Sequence, residues 1–540
     1  MTPSQTLPLQ GGGQGGGDNL KQMRHVFSHK IVFVFLLGFG LRLYACMNTP
    51  IVNPDGVQFI HQARAIYYGE WKSVTHCSVD YVSNYPFFVA GAYTIFHDWI
   101  IAARSISFFF GFAALIPLYF LLKRFFDDNI SGLCTLIFAL IPVFVGRSGD
   151  VLRGPVYWFF LMLGLYLFIG QVDNKSRIYL ILSNLSFLMA TWARIEAILF
   201  IIVSCFYILF IEKEKKLERL AIFISPLVAI IVICIAVVLI SDVSVEDVYR
   251  TREVLYKFTD TVDQYQELRT GLRVLAARHW DNVVGEFLPK ARNLIWLVAL
   301  GTVVRYVVAT FFYPFFFIFL IGLGGIWERI KNDRRVLYLS FLSISGLVLL
   351  YIHILHKWVI TYRFLVVVIL PSCILAGFGL EKILRFLQVR LGLKESAALT
   401  VVCVLILVSG LPKNLKPRET DRAIFRQIGE IIAKREGNHR VITVTAAPST
   451  VQKWVSFYAN LKYPGVFCAE DSGTIGENYS QLVKHLRQNG IRYLLWEENR
   501  WPVEKIDFIH TQYHQDFKEL GRWHHPNTER IILFEAIGSK

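Results

Sequence analysis

Long apolar runs alternate with short polar segments from residue 31 to residue 411. A helix needs about 20 mostly apolar residues to cross roughly 30 Å of hydrocarbon. On that basis we predict eleven spans, near residues 31–47, 99–122, 130–146, 155–171, 178–192, 196–211, 220–240, 304–327, 336–354, 364–382 and 397–411. Residues 293–304 either belong to a longer tilted helix or form a separate interfacial helix. The pattern predicts a multi-pass α-helical membrane protein.

After residue 411 the pattern changes to short apolar runs between charged segments. It predicts strands over 441–445, 491–496 and 531–537, and helices near 419–435, 449–460 and 479–489. We therefore predict three parts: a flexible cytoplasmic tail over 1–29, a transmembrane domain over 30–412 and an extracytoplasmic α/β domain over 413–540. The tail contains a glycine-rich run at 11–17.

The composition also indicates a membrane protein, because 54% of the 540 residues are hydrophobic and only 18% are charged. A net charge of +15 would suggest nucleic acid as the partner of a soluble domain. Here, however, much of the Lys and Arg lies in short patches between apolar runs, which is typical of topology signals, so we expect no nucleic-acid partner.

Six basic patches fall on one side of the membrane if there are eleven spans, at residues 21–30, 123–124, 175–177, 213–219, 329–335 and 382–394. The positive-inside rule then predicts a cell (inner) membrane protein with a cytoplasmic N-terminus. The two large loops, 48–98 and 241–303, and everything after residue 412 would lie outside the cytoplasm.

The eight cysteines are scattered, mostly inside apolar runs, and no Cys-x-x-Cys pair or His/Cys cluster occurs. We therefore expect neither a disulfide framework nor a structural zinc site. No small-residue cleavage site follows the first apolar run, so we expect a retained signal anchor and not a removed signal peptide.

Ionisable residues at the predicted outer ends of the spans form the candidate site. Charges there are costly unless they are solvated, paired or used, so each is a functional candidate. The set is Asp55, Arg147, Asp150, Arg153, Arg194, Glu196, His356, Lys357 and Arg363. The alternative is that the cations only reach lipid headgroups and that the acids only pair with them, as Glu196 would with Arg194.

Asp55 follows the first span within Asn53-Pro54-Asp55-Gly56. These four residues are also a strong turn sequence, because proline restricts φ and glycine tolerates positive φ. An aspartate at this position is equally suited to capping a helix that begins at Gly56 or Val57. The local sequence therefore leaves a catalytic carboxylate, a turn residue and a helix cap all open.

Several short motifs follow one another along the chain: Leu41-Arg42-Leu43, Asp55 before a helix ending in Tyr68-Gly69-Glu70-Trp71, Asn84-Tyr85-Pro86-Phe87, Gly149-Asp150-Val151-Leu152, Trp192-Ala193-Arg194-Ile195-Glu196 and Tyr362-Arg363-Phe364. Their order resembles that in the GT-C glycosyltransferases, especially the protein O-mannosyltransferases and the aminoarabinose transferase that modifies lipid A. The resemblance covers residues 30–412, and the α/β domain looks like the variable periplasmic domain of many members. Many members have an Asp-Glu pair where this chain has Asp55-Gly56, so the second acid has no counterpart there.

The resemblance implies transfer of a sugar, with inversion, from a polyprenyl-phosphate donor to a hydroxyl of a glycan, lipid or protein outside the cytoplasm. Asp55 would be the general base and Asp150 would assist it, because the acceptor hydroxyl loses its proton as it attacks. Arg194, Lys357, Arg363 and His356 are candidates for the donor phosphate, on which charge develops. Four further residues complete the expected substrate-binding set: Glu196, which would orient Arg194, together with Arg153, Tyr362 and Tyr85. The sequence indicates no required cofactor and leaves a divalent metal open.

Two other functions stay open. A transporter or flippase of a lipid-linked or anionic solute would be expected to have charges at the bilayer midplane and related halves. Here Arg305 is the main charge away from the outer boundary, and no inverted repeat is visible. An oligosaccharide ligase or polymerase would share the sidedness, and only the resemblance separates it from a single-sugar transferase. In the transferase, the arginine-rich loop 241–303 would help to close the cavity.

Overall fold

The computed structural model describes residues 29–75, 77, 81–212, 215–240, 249–447, 449–468, 478–499, 513–527 and 529–537. The tail predicted over 1–29 therefore lies outside the described residues, except for its last residue. Most of the described chain is helical, and a small sheet occurs only near its C-terminal end.

Most of the predicted apolar runs lie within helices, although several runs are divided between two helices. The helices before the sheet are α1 (His29–Met47), α2 (Pro54–Tyr68), α3 (Asn84–Phe96), α4 (Trp99–Ala113), α5 (Leu115–Leu122), α6 (Asp128–Leu140), α7 (Pro142–Ser148), α8 (Gly154–Asn174), α9 (Arg177–Ala193), α10 (Ile198–Phe210), α11 (Lys216–Ile240), α12 (Tyr249–Arg278), α13 (Val283–Asn293), α14 (Ile295–Phe311), α15 (Tyr313–Leu323), α16 (Ile326–Asn332), α17 (Arg334–Lys357), α18 (Val366–Ile369), α19 (Cys373–Leu391) and α20 (Glu395–Leu415). Six helical stretches of the described chain are long and apolar enough to cross a membrane, or nine if three bent pairs each count as one span. The count of eleven stays a prediction.

Breaks divide several of the apolar segments into bent pairs. The axes of α6 and α7 meet at 61°, those of α13 and α14 at 76°, and those of α15 and α16 at 59°. Pro142 explains the first break, because proline has no N–H and its ring clashes with the carbonyl one turn earlier. Residues 293–304 therefore belong mostly to α14, at a sharp angle to α13.

The predicted basic loops contact one another at one end of the helices. Arg335 donates to the backbone oxygen of Arg124 at 3.0 Å and to Asp173 at 3.2 Å. Arg329 donates to Glu381 at 2.9 Å. Helices such as α8, α9 and α17 run from this end to the loops that contain the candidate acids and arginines. The charge pattern of the sequence thus corresponds to two ends of one helical body.

The C-terminal part is an α/β unit. Helices α21 (Ala423–Glu436), α22 (Ser449–Ala459) and α23 (Tyr479–Gln488) accompany strands β1 (Val444–Ala446), β2 (Tyr493–Glu497), β3 (Phe517–His525) and β4 (Glu529–Ala536). The sheet order is β1-β2-β4-β3, with β1 parallel to β2 and the other pairs antiparallel. Three strands and three helices lie close to their predicted positions. The sequence did not indicate β3, because its residues are mostly polar and its pairing with β4 shifts register between Glu519 and Gly521.

One disulfide joins the two halves of the chain, between Cys77 and Cys468. The scatter of the cysteines indicated no such pairing, because the two residues are 391 positions apart. The expectation that the cysteines form no disulfide is therefore wrong for this pair. The bond links the segment after α2 to the segment after α22.

Candidate active site

Asp55 lies in the first turn of α2, directly after the proline that starts the helix. Asn53 is the N-cap, and its side-chain oxygen accepts a hydrogen bond from the Asp55 N–H at 3.0 Å. The capping role considered for Asp55 thus belongs to Asn53. The Asp55 side chain is 40% exposed.

The Asp55 carboxylate forms an ion pair with the Arg363 guanidinium, which comes from the loop between α17 and α18. The two residues are 308 positions apart in the chain. The Arg363 side chain is 41% exposed, so both partners are accessible. The structure thus unites the two candidates that the sequence assigned to base and phosphate binding.

Asp150 is buried, and its carboxylate binds the backbone just before Asp55. One of its carboxylate oxygens accepts from the Asn53 N–H at 3.2 Å and from the Val151 N–H at 2.8 Å. Its other oxygen lies 3.6 Å from the Arg147 guanidinium. Burial raises the pKa of the Asp150 carboxyl above its ordinary value of 3.8, although Arg147 and the two N–H groups oppose the shift. Asp150 therefore contacts the turn that carries Asp55.

Gly56 explains why the second acid of the resemblance is absent. A Cβ at this position would lie 2.7 Å from the Val151 carbonyl oxygen and 2.9 Å from the Val52 side chain. Such contacts are too short for any side chain without a shift of the backbone next to Asp150. The close approach of α2 to the loop 149–153 therefore requires glycine beside Asp55.

A second group of predicted residues lies around Phe364, the neighbour of Arg363. Arg194 is only 4% exposed, pairs with Glu196 at 3.0 Å and stacks over the Phe364 ring at 4.8 Å. His356 is also buried. Arg153 has a different aromatic partner: its guanidinium lies 4.8 Å from the ring centre of Tyr81.

The other three residues predicted to bind substrate lie in different surroundings. Tyr85 is fully buried, and its hydroxyl donates to the Ala103 carbonyl at 2.7 Å, so it packs in the core and is not retained in the site. Tyr362 is 39% exposed and lines a cavity beside Asp150. Lys357 is exposed at the C-terminal end of α17.

Two cavities lie on either side of these residues. The larger, of about 570 Å³, contains Asp150, Arg147 and Tyr362 in its wall. The smaller, of about 190 Å³, is a mostly apolar groove between α10 and α17 whose polar residues are Glu196, His353 and His356. Phe364 also lines the groove, so the chain segment 362–364 separates the two spaces.

Sequence reasoning missed two cations of the larger cavity, Lys413 and Arg418. Arg418 donates to the Pro142 carbonyl at 2.9 Å and fills the space left by Gly146. Sequence reasoning also missed Arg104, which donates to the Thr49 carbonyl at 2.6 Å and so holds the loop before Asp55. The available signal for Arg104 was an isolated arginine inside an apolar run.

The acids of the site do not assemble a metal-binding set. Within the described ranges, no group of three or more His, Cys, Asp or Glu side chains could hold an ion. Asp150 is held by two N–H groups and Arg147, and Asp55 by Arg363. The requirement for a divalent ion therefore stays open, as the sequence left it.

Loop 241–303 is described from residue 249 onward. Its long helix α12 packs against α17, which ends at Lys357. The proposal that this loop closes the cavity stays a prediction.

Comparisons with known proteins give a likeness of fold. No protein-family model and no curated protein sequence matches the chain. Among solved structures, ArnT from Cupriavidus metallidurans bound to undecaprenyl phosphate is similar, with a TM-score of 0.56 and 12% identity over 94% of this chain and 98% of that one. The oligosaccharyltransferase AglB from Archaeoglobus fulgidus, in complex with an inhibitory peptide and a dolichol-phosphate, has a TM-score of 0.53 and 12% identity over 95% of this chain and 74% of that one. The Archaeoglobus fulgidus oligosaccharyltransferase in complex with Zn and sulfate has a TM-score of 0.53 and 12% identity over 87% of this chain and 68% of that one.

Proposed function

Because this chain has the GT-C glycosyltransferase fold, we propose that it transfers a hexosyl or pentosyl group from a polyprenyl-phosphate donor to an acceptor hydroxyl. The observation that carries the proposal is the accessible Asp55–Arg363 pair, because the chain neighbours of Arg363, Tyr362 and Phe364, line two cavities of different character. A carboxylate and a cation side by side are what proton removal and phosphate departure require.

The reaction uses the pair in one displacement. The acceptor oxygen attacks the anomeric carbon, its proton passes to the Asp55 carboxylate, and the bond from the anomeric carbon to the phosphate oxygen breaks. Attack opposite the leaving group inverts the configuration. Arg363 stabilises the charge that develops on the phosphate, and Lys357, exposed at the end of α17, is the second candidate cation. Asp150 acts on the backbone that carries Asp55.

The apolar groove between α10 and α17 suits the polyprenyl chain of the donor. Its wall is aliphatic over most of its length, and residues such as Ile198 and Ile202 are open to the surroundings. Glu196 and His356 lie in the same wall as Phe364, next to Arg363. A chain of isoprene units in this groove would have its phosphate near Arg363. The lipid phosphates in the related ArnT and AglB structures agree with such a donor.

The larger cavity suits the acceptor. Three cations in its wall, Arg147, Lys413 and Arg418, exceed the two acids Asp150 and Glu419. An acceptor with a negative group near its hydroxyl would be favoured there.

The site is proposed to face outward from the cytoplasm. The basic loops contact one another at the opposite ends of the helices. The disulfide between Cys77 and Cys468 is on the same side as Asp55, and disulfides persist in oxidising compartments. Both observations support a cytoplasmic N-terminus and an extracytoplasmic C-terminal unit after residue 412.

The test is release of polyprenyl phosphate by the purified protein from a panel of radiolabelled polyprenyl-phosphate sugars and lipid-linked oligosaccharides, with an envelope extract as acceptor. We expect Asp55→Asn to lower turnover roughly 10²- to 10⁴-fold, the usual contribution of a general base. Asp98→Asn is the matched control, because Asp98 caps α4 through the Ile101 N–H and asparagine caps equally well.

Each outcome separates the candidate functions. Full turnover by Asp55→Asn would show that Asp55 is not the base. Release only from lipid-linked oligosaccharides would indicate a glycan ligase. Absence of release from every donor would favour the transporter or flippase.

A further inference from the structure

Two aromatic side chains of α22 bind the backbone just before Asp55. The Trp454 indole N–H donates to the Val52 carbonyl at 2.7 Å, and the Val52 N–H donates to the Tyr458 hydroxyl at 2.8 Å. Val52 is fully buried, and both aromatic residues are nearly so. Both backbone groups of Val52 are thus paired with side chains of the C-terminal unit.

The hydrogen bonds continue without a gap from Val52 to Asp55. The next N–H, of Asn53, donates to Asp150 at 3.2 Å. The Asn53 side chain then accepts from the Asp55 N–H at 3.0 Å. The position of the Asp55 carboxylate therefore depends on four backbone hydrogen bonds at Val52, Asn53 and Asp55, and the two partners of Val52 lie about 400 positions away in the chain.

The same unit also holds the far half of α2. Arg64 donates to the Leu461 carbonyl at 2.7 Å, and His61 lies with one ring nitrogen 2.6 Å from the Phe467 carbonyl oxygen. The disulfide between Cys77 and Cys468 follows directly. Residues 454–468 thus contact both the turn before α2 and, at His61 and Arg64, the later part of that helix.

We propose that the C-terminal α/β unit positions the base of the reaction: Trp454 and Tyr458 hold the turn that carries Asp55, and the segment that ends at Cys468 holds its helix. The assignment of Asp55 as base rests on the proposed function, whereas the holding of the turn does not. Trp454 and Tyr458 are positioning residues, since they contact the turn and not the Asp55 carboxylate.

The test compares amide hydrogen exchange with turnover in Tyr458→Phe and Trp454→Phe. Loss of the hydroxyl leaves the buried Val52 N–H without its acceptor, so we expect exchange in a peptide spanning 48–57 to rise roughly 5- to 150-fold. We expect kcat to fall while the KM for donor stays unchanged, because the donor groove is untouched. Tyr479→Phe is the matched control: it removes a hydroxyl bonded to Asp516 within the same unit.

A milder perturbation avoids any defect in folding. Reduction of the purified wild type with dithiothreitol breaks the link between Cys77 and Cys468 in a protein that is already folded. We expect faster exchange in residues 459–468 and a lower kcat, and reoxidation should restore both.

The outcomes separate this proposal from the proposed function. Faster exchange around Val52 with a lower kcat, in Tyr458→Phe and not in Tyr479→Phe, supports it. Unchanged exchange in Tyr458→Phe and Trp454→Phe, or faster exchange at full kcat, would overturn it. If the wild type releases no polyprenyl phosphate, the proposed function fails, and the exchange difference alone then decides whether the unit holds the turn.

Discussion

Replacement of Gly56 by alanine tests the close approach that separates this chain from members with an Asp-Glu pair. The new Cβ would lie 2.7 Å from the Val151 carbonyl oxygen and 2.8 Å from the Val151 Cβ. Real Cβ contacts of this length do not persist, so α2 or the loop with Asp150 has to move. Overpacking of this kind costs about 1–3 kcal/mol.

A second effect acts in the opposite direction. Alanine in a helix is favoured over glycine by about 1 kcal/mol. Gly56→Ala should therefore lower the free energy of unfolding by about 0–2 kcal/mol. Gly91→Ala isolates the steric part, because Gly91 lies within α3 and a Cβ there meets nothing within 4 Å. Both variants gain the same helix propensity, so their free energies of unfolding should differ by the steric cost alone, about 1–3 kcal/mol.

The assay is unfolding of the purified protein by sodium dodecyl sulfate in mixed micelles, with turnover measured in parallel. Gly56→Ala should unfold at lower detergent fraction than Gly91→Ala and should lose turnover, because the strain falls on the Asp55 turn. Gly56→Glu, which restores the acidic pair, should be less stable than Gly56→Ala. Equal stability of Gly56→Ala and Gly91→Ala would refute the steric argument.

Three further predictions concern the larger cavity. Burial raises the pKa of Asp150, so its contribution to the free energy of unfolding is complete below the ordinary value of 3.8 and is lost as the pH rises through the raised folded pKa. The wild type should therefore lose stability relative to Asp150→Asn in that pH window. A difference in melting temperature between the two proteins that stays constant with pH would contradict the prediction. Arg418→Gln should raise the KM for an anionic acceptor about 10- to 100-fold, whereas Lys416→Gln, an exposed cation in the same linker, should leave it unchanged. Gly146→Ala should reproduce the Arg418→Gln kinetics, because its Cβ would lie 1.1 Å from the Arg418 guanidinium and must displace it.

The pattern of apolar and charged residues along the chain was sufficient to predict most helices and to predict which helix ends lie on the same side. Apolar runs predict helices because backbone groups in hydrocarbon must be paired within the helix. The basic patches predicted which helix ends lie together, and their contacts confirm that grouping. The positions of Asp55 and Asp150 at loop ends also followed from sequence, as did the GT-C fold.

Only the tertiary structure decided which of these residues meet. The Asp55–Arg363 pair and the Cys77–Cys468 bond join residues 308 and 391 positions apart. Periodicity reports neighbours three or four residues apart on a helix and carries no information on such distances. The same limit explains the burial of Tyr85, whose motif suggested the site while its helix turned it into the core.

Strand β3 and the requirement for Gly56 have a related cause. The mostly polar residues 517–525 form a strand because β4 supplies the hydrogen-bond partners, and Gly56 is required because Val151 approaches it. In both cases a segment distant in sequence, and not the local sequence, determines which conformation or residue is favourable. The sequence thus determined the helices, their ends and the candidate charges, whereas packing between distant segments decided which charges form a site.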